Sequence, residues 1–170
     1  MEFALIVLPL VTLLFAIIEG GYLLRTHLSF GAAVEDSVRR ASVVGDDPKA
    51  DYYILQALGE DLELAPEDVR RIVIFKPSNP RQGPPSSCVA GTPSAVCNVY
   101  SGADLERDAG TFGIGGIDSH WDPTSRSIDL DNPDLIGIYV EVRHNMLTHF
   151  FGAGFDLRQV AVLPLERGTS

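Results

Sequence analysis

The chain has 170 residues, 45% of them hydrophobic, and its 13 Lys and Arg against 23 Asp and Glu give a formal net charge of -10 at pH 7. This length leaves room for one domain and little else. Such an acidic surface repels nucleic acid and anionic lipid headgroups, and the sequence has no basic patch with interleaved aromatic residues, so nucleic-acid-binding proteins are excluded.

The first predicted element is an apolar helix directly behind the initiator methionine. No charged residue lies between Phe3 and Ile18, and the run is bounded by Glu2 and Glu19. These 16 residues span about 24 Å of helix, less than the ~30 Å hydrocarbon core of a bilayer, whereas extension to Leu24 gives about 33 Å and places Glu19 near the membrane edge. A secretory signal would have basic residues before the run and a small-residue cleavage site after it, and this sequence has neither. We therefore predict a transmembrane helix.

The orientation of this helix is indicated by two opposing signals. Basic residues begin only at Arg25, after the apolar run, and the positive-inside rule alone would then place the C-terminal part in the cytoplasm. The acidic remainder and the two cysteines favour the opposite orientation, and we give them more weight. We expect residues 1–24 to span the cytoplasmic membrane and residues 25–170 to form an extracytoplasmic domain.

The helix is predicted to continue to about Val44, because the next stretch, residues 25–44, is amphipathic. On a helical wheel one side is apolar: Leu23, Phe30, Val34, Val38 and Ala41. The opposite side is charged: Arg25, Glu35, Asp36, Arg39 and Arg40. This half is expected to pack on a sheet, and Pro9 and the pair Gly20-Gly21 are the expected bending points.

The remaining elements are a short helix and several strands. Asp47-Pro48 predicts a helix over residues 48–58 that stops at Gly59. Segments rich in β-branched residues predict strands at 70–76, 136–144 and 159–166, and a shorter one is compatible with 96–100. Pro164 places the last strand at a sheet edge or marks its end. The predicted fold class is α+β, a pilin-like long N-terminal helix on a small antiparallel sheet (residues 69–166) with long loops.

The only two cysteines, Cys88 and Cys97, lie in the Gly-, Pro- and Ser-rich stretch SSCVAGTPSAVCNVY. A disulfide between them would close a short loop and contribute roughly 2.5–3 kcal/mol by the chain-entropy estimate. Two free thiols in a cytosolic protein are the alternative, and zinc is disfavoured because no His lies at ligand spacing. We expect the disulfide, and with it an oxidising compartment.

No catalytic or metal-binding constellation emerges from the sequence. His144 and His149 would lie about 140° apart on a helix, so we interpret them as surface or hydrogen-bonding residues. The acidic segment DLDNPD (129–134) lacks the turn glycine of a calcium loop and has Pro133 at a ligand position. GTFGIGGI (110–117) misses the dinucleotide-binding spacing and is interpreted as a flexible loop. We expect no enzyme, no cofactor and no metal.

Three phenylalanines, Phe150, Phe151 and Phe155, surround two glycines between strand candidates. They are compatible with a core cluster. The alternative is an exposed apolar patch that contacts a neighbouring subunit, and it makes these three residues a candidate subunit contact.

The head of the chain, EFALIVLPLVTLLFAIIEGG, resembles the TadE/TadG-like family, which are minor pilin-like proteins (pseudopilins) of the Tad, or Flp, pilus system. The residues that match the start motif of that family are Glu2, Phe3, Ala4, Leu5, Pro9 and Glu19. The stretches CNVYSGADL and DLIGIYVEVRHNMLTHFFG, with the C-terminal DLRQVAVLPLE, resemble the actinobacterial branch of the family.

This resemblance implies a structural or assembly subunit of a Tad-type type IV pilus, used in adhesion or surface attachment. It implies partnership with other pilin-like subunits and inner-membrane Tad proteins, and it makes Glu2 and Phe3 the assembly and processing motif. Prepilin-type precursors carry a basic leader that a prepilin peptidase removes, whereas only Met1 precedes Glu2 here. Either the start has been placed late, or the leader is dispensable, or the sequence is that of a trimmed product, and we expect the first, with a leader upstream of Met1. The alternative function is a membrane-tethered extracytoplasmic ligand-binding module or enzyme, with its site in loops 77–98 or 101–135.

Overall fold

The computed structural model describes residues 2–62, 64–146, 152 and 154–166, and for residues 2–5 it describes the backbone alone. The helices are α1 (Glu2–Val44), α2 (Ala50–Asp61) and the single turn α3 (Ser86–Val89). The strands are β1 (Val69–Phe75), β2 (Cys97–Tyr100), β3 (Leu135–Asn145) and β4 (Gly154–Pro164). Short 3-10 turns occupy Pro66–Asp68, Gly102–Glu106, Ala109–Thr111, Ser119–Trp121 and Pro123–Ser125.

Helix α1 is continuous over 43 residues, through Pro9 and through Gly20-Gly21. At 1.5 Å per residue it is about 65 Å long. Its continuation to Val44 confirms the predicted long N-terminal helix, whereas bending at Pro9 and at the glycine pair stays a prediction.

Helix α2 begins and ends later than the sequence predicts. Asp47 Oδ1 accepts a hydrogen bond from the Lys49 backbone N–H at 2.7 Å, a local turn that delays the helix to Ala50. The predicted stop at Gly59 is wrong, because the helix continues to Asp61. Gly59 lies inside this helix and faces Leu105, and a Cβ added there would make only an ordinary van der Waals contact with Leu105 Cβ at 3.5 Å.

The strands form one antiparallel sheet in the order β2-β1-β3-β4, as predicted for the fold class. Ile138 of β3 pairs with Ile74 of β1 and with Ala161 of β4, so β3 is central. Strand β4 is at the edge and ends at Pro164, which confirms the prediction made from that proline.

The main core lies between the C-terminal half of α1, helix α2 and one face of the sheet. Phe30, Val34, Val38 and Ala41 are each at most 2% exposed, so the predicted apolar side of the helix is the packed side. The sheet contributes alternating β-branched residues to this core: Ile72, Ile74, Ile136, Ile138, Val140 and Val142. A helix and a sheet face that bury one apolar side each are the two layers that an α+β domain requires.

Candidate assembly interface

The N-terminal half of α1, called here the bare half (residues 6–18), has no cover within the described part of the protein. Nine of its large apolar side chains are between 37% and 69% exposed: Ile6, Leu8, Leu10, Val11, Leu13, Leu14, Phe15, Ile17 and Ile18. Only 6% of the most apolar 18-residue stretch is buried. By length and composition this helix can cross a membrane.

Glu19 marks the point at which α1 meets the domain. It is only 4% exposed although its neighbours Ile18 and Gly20 are exposed. One turn further along, the Tyr22 ring lies 5.2 Å from the buried His144 ring of β3, measured between centroids. The folded domain therefore covers the Glu19 side chain at the point where the uncovered part of α1 ends.

The far end of the β3–β4 hairpin lies against this junction. The Phe155 ring is 5.3 Å from the His144 ring, and Phe155 itself is half-buried. Burial lowers the pKa of His144, while the negative charges of Glu19 and Asp68 act in the opposite direction. His144 is thus a packed core histidine and not a surface residue.

An open groove lies beside the junction, between α1 and the edge strand β4. We call it the α1–β4 groove, and its lining residues are Gly20, Leu23, Leu24, His27, Phe155 and Leu157. Its volume is about 420 Å³. Of the three phenylalanines singled out in the sequence, Phe155 lines this groove, whereas Phe150 and Phe151 lie outside the described residues.

The side chains of Glu2 and Phe3 also lie outside the described residues, and only their backbone is placed, in the first turn of α1. Pro9 lies within the bare half. Gly20 and Gly21 both face open space, since an added Cβ would meet nothing within 4 Å at either position. The helix therefore has a flat, accessible surface where the bare half ends.

The predicted disulfide is present between Cys88 and Cys97. Both cysteines are fully buried and belong to a second small core on the outer face of the sheet, with Val73, Phe75 and Tyr139. The disulfide thus fastens the proline-rich loop over the sheet face that α1 does not cover.

A buried ionic network holds the second long loop, and sequence reasoning missed it. Arg126 and Asp51 are fully buried and pair at 2.7 Å. The other oxygen of Asp51 accepts hydrogen bonds from Asn98 Nδ2 and Tyr100 Oη, each at 2.7 Å. Burial, and then the Asp51 charge, raise the pKa of Tyr100, so its hydroxyl remains a donor. The guanidinium also lies 4.2 Å from the Trp121 ring centroid.

The glycine-rich stretch 110–117 is more firmly held than its composition predicts. Phe112 is buried in the main core, and the Gly113 N–H donates to the buried Asp118 carboxylate at 2.9 Å. Because Phe112 packs on Tyr52 and Tyr100, the interpretation as a flexible loop is corrected to an anchored one.

The acidic segment at 129–134 is occupied by turn hydrogen bonds. Asp134 pairs with Lys76 at 2.7 Å and accepts from the Ser127 N–H at 3.0 Å. Among the residues that the structure describes, no group of three or more His, Cys, Asp or Glu side chains could hold a metal ion.

Comparisons with known proteins bear on the N-terminal part of the chain. Residues 1–39 match the family model described as TadE-like protein. No curated protein and no solved structure matches the chain. The matched region comprises the bare half, the junction at Glu19 and most of the domain-covered part of α1, residues 25–44, called here the packed half. This N-terminal segment, 39 of the chain's 170 residues, is therefore similar to that of TadE-like proteins.

Proposed function

We propose that the chain is a non-catalytic minor pilin or assembly subunit (pseudopilin) of a Tad-type type IV pilus that serves adhesion or surface attachment. One observation carries the proposal: a single helix is apolar and uncovered over its first half and packed on a folded domain over its second half. This arrangement lets one element be held in lipid before assembly and against other helices after it, and the TadE-like match lies on the same element.

The proposed topology puts residues 1–24 in the cytoplasmic membrane and the domain of residues 25–170 outside it. The disulfide supports an oxidising compartment for the domain. The shielding of Glu19 supports the span, because the apolar surface then continues to Leu24 without a carboxylate facing lipid. The resemblance to an actinobacterial type is part of this proposal.

The proposed partners are other pilin-like subunits and inner-membrane Tad proteins, with a prepilin peptidase acting if a leader lies upstream. Within the assembly, we assign the Glu2 carboxylate to an ion pair with the terminal amine of a neighbouring subunit. A carboxylate in a low-dielectric helix bundle is costly unless it is paired, so this pairing fixes the axial position of one helix relative to the next.

The test compares two charge-removing substitutions on the same helix. Glu2→Gln should leave the protein in the membrane fraction and reduce pilus assembly, because the carboxylate that sets the axial position is lost. The matched control Glu35→Gln changes an exposed residue on the domain part of α1 and should leave assembly unchanged. Pilus yield after shearing, measured beside membrane content of the subunit, gives the result. Normal piliation with Glu2→Gln would contradict the assigned role of Glu2, and normal piliation in a strain without this chain would contradict the proposed function.

A further inference from the structure

A second groove lies on the side of the domain formed by α1 and α2, and we call it the α1–α2 groove. Its volume is about 520 Å³, within the size range of small-molecule sites, so it can receive one or more side chains of a partner. Four of the residues that line it are apolar: Val43, Val44, Tyr53 and Ala57. Val43 is 47% exposed and Tyr53 is 43% exposed, so much of this apolar surface lacks cover within the described part of the chain.

The charges around the α1–α2 groove are more basic than those of the protein as a whole. Arg39 and Arg40 line it with a single carboxylate, that of Glu60, whereas the chain has 13 Lys and Arg against 23 Asp and Glu. Arg40 forms an exposed ion pair with Asp36 at 3.2 Å. Arg39 is exposed and makes no ion pair with any residue that the structure describes. The groove therefore fits an apolar side chain flanked by carboxylates, because a cation lies beside the apolar surface.

The acidic segment DLDNPD carries such a side chain. Leu130 lies between Asp129 and Asp131 and is 76% exposed, and both of these carboxylates are on exposed residues. Among the described large apolar residues only Ile114, at 91%, is more exposed. We call residues 129–132 the acidic turn. Its apolar side chain and its two flanking charges are the complement of the α1–α2 groove.

Hydrogen bonds hold the acidic turn in a defined conformation. The Asn132 backbone N–H donates to the Asp129 carbonyl at 3.1 Å, and the Asp134 N–H donates to the Ser127 carbonyl at 2.8 Å. The ion pair between Asp134 and Lys76 fastens the base of the turn to the end of β1. Leu130 is therefore presented on an ordered turn, and less conformational entropy is lost when a partner binds it.

The α1–α2 groove and the acidic turn lie at the same end of the domain. The Glu166 backbone N–H donates to the Ser42 carbonyl at 2.7 Å, in the last turns of α1. The Leu165 N–H donates to the Asp134 carbonyl at 2.8 Å, at the base of the acidic turn. The segment that follows β4 thus joins the two surfaces. Two copies that stand upright in one membrane therefore present them at a similar level, and they can meet without displacement along the helix axis.

We propose that the acidic turn of one copy of this chain docks in the α1–α2 groove of a second copy. Leu130 enters the apolar part of the groove, and the two carboxylates beside it lie near the guanidinium groups at the rim. The burial of Leu130 supplies the attraction. The charges at the rim mainly select this partner, because exposed ion pairs contribute little to affinity.

This contact joins the folded domains and not the membrane helices. Val43 lies 19 residues beyond Leu24, about 28 Å along the helix axis, so the contact is well outside the bilayer. A single leucine with exposed ion pairs is a weak contact in solution, and confinement of both copies to one membrane raises their effective concentration. The inference rests on the proposed function for this topology alone. Its consequence is that copies associate while their bare halves are still in lipid.

The experiment uses two differently tagged full-length copies in native membranes. One copy carries Gln56→Cys in the α1–α2 groove and the other carries Asn132→Cys in the acidic turn, and both positions are exposed. The two natural cysteines are buried in a disulfide and do not react. A bismaleimide cross-linker should join Gln56→Cys to Asn132→Cys. As the control, Val160→Cys, at a residue 42% exposed on β4, should not be joined to Gln56→Cys.

Truncation of the exposed leucine tests the apolar part of the contact. Leu130→Ala in the copy that carries Asn132→Cys should lower the cross-linked fraction about tenfold, because the burial of this side chain supplies most of the attraction. The matched control Ile114→Ala truncates the other strongly exposed apolar residue and should leave the fraction unchanged.

Charge reversal tests the choice of partner. Asp129→Arg/Asp131→Arg in the turn should abolish the cross-link, because four guanidinium groups then meet at the rim of the groove. Arg39→Asp/Arg40→Asp in the copy that provides the groove should restore it. A variant that had simply failed to fold would not regain the contact through a change in its partner.

The inference is overturned if Gln56→Cys and Asn132→Cys are not joined, or if Val160→Cys is joined equally well. It is also overturned if Leu130→Ala leaves the cross-linked fraction unchanged, if the reversed charges do not restore the contact, or if Gln56→Cys is joined to another protein in place of the tagged copy. In each of these cases the proposed function stands as long as pili still require the chain.

Discussion

The two halves of α1 differ in what covers them, although both are regular helix. Large apolar side chains of the bare half are 37% to 69% exposed, whereas Phe30, Val34 and Val38 of the packed half are at most 2% exposed. The sheet is long enough to cover only one of the two halves. The fold therefore stabilises the second half by itself and leaves the first half without apolar cover among the described residues.

The largest difference between the halves is expected from truncating an apolar side chain in each. Phe30→Ala opens a cavity against the sheet and should lower the free energy of unfolding of the domain by about 3–5 kcal/mol. Leu13→Ala, on the bare half, should change it by less than about 0.5 kcal/mol. Denaturant unfolding of the full chain in detergent micelles measures both. Equal losses would mean that the halves are not independent.

The buried pair Asp51–Arg126 allows the same comparison with charges. Asp51→Asn leaves an uncompensated guanidinium in the core and should cost about 3–5 kcal/mol. The control is Asp36→Asn, which breaks the exposed Asp36–Arg40 pair on α1 and should cost about 0.5 kcal/mol or less. Thermal unfolding of both variants gives the contrast, and a mild Asp51→Asn effect would show that the long loop is held by other contacts.

Removal of the disulfide tests the outer layer of the sheet, which α1 does not touch. The double variant Cys88→Ser/Cys97→Ser should lose roughly 2.5–3 kcal/mol, mostly because the unfolded chain is less constrained. The bare half is separate from this layer. The amount of the double variant in the membrane fraction should therefore match that of the wild-type protein. Unfolding midpoints with and without reductant check the wild-type protein, and an unchanged midpoint would show that the loop is fastened by packing alone.

The smallest effect is expected at the junction, as a pH dependence. Because burial lowers the pKa of His144 below its ordinary 6.5, the unfolded chain binds a proton that the folded chain does not as pH falls through that range. Stability should therefore fall on acidification below about pH 6.5, in opposition to the favourable charges of Glu19 and Asp68. His144→Gln should flatten this dependence, and the exposed control His120→Gln should not. A slope that persists in His144→Gln would place the titrating group elsewhere.

Much of the fold was accessible from the sequence because its signals are local and repeated. The apolar side of α1 followed from helical periodicity, and β3 followed from alternation of Ile138, Val140 and Val142 with Tyr139, Glu141 and Arg143. Pro164 marked the edge strand, and the only two cysteines formed the disulfide. Each of these patterns depends on residues that are near one another in the chain.

The features that the sequence did not predict depend on distant residues. Asp51 and Arg126 are 75 positions apart, and nothing local indicates that either is buried. The shielding of Glu19 depends on the far end of the β3–β4 hairpin, and the α1–β4 groove depends on the angle at which β4 lies beside α1. The sequence signal that could have indicated the Asp51–Arg126 network is Trp121. A lone large aromatic residue in a polar loop is seldom exposed, so its loop could have been predicted to pack on the core.

The central claim, that one helix is divided between a membrane half and a domain half, is tested most directly by labelling. Five apolar residues of α1 are exposed in the isolated chain: Leu10, Leu13, Ile17, Leu28 and Val43. Each is replaced in turn by a single cysteine. A membrane-impermeant maleimide is then added to cells whose outer envelope layers have been removed and whose cytoplasmic membrane is intact. We expect labelling at Leu28 and Val43 and protection at Leu10, Leu13 and Ile17. Equal labelling of all five positions would contradict it.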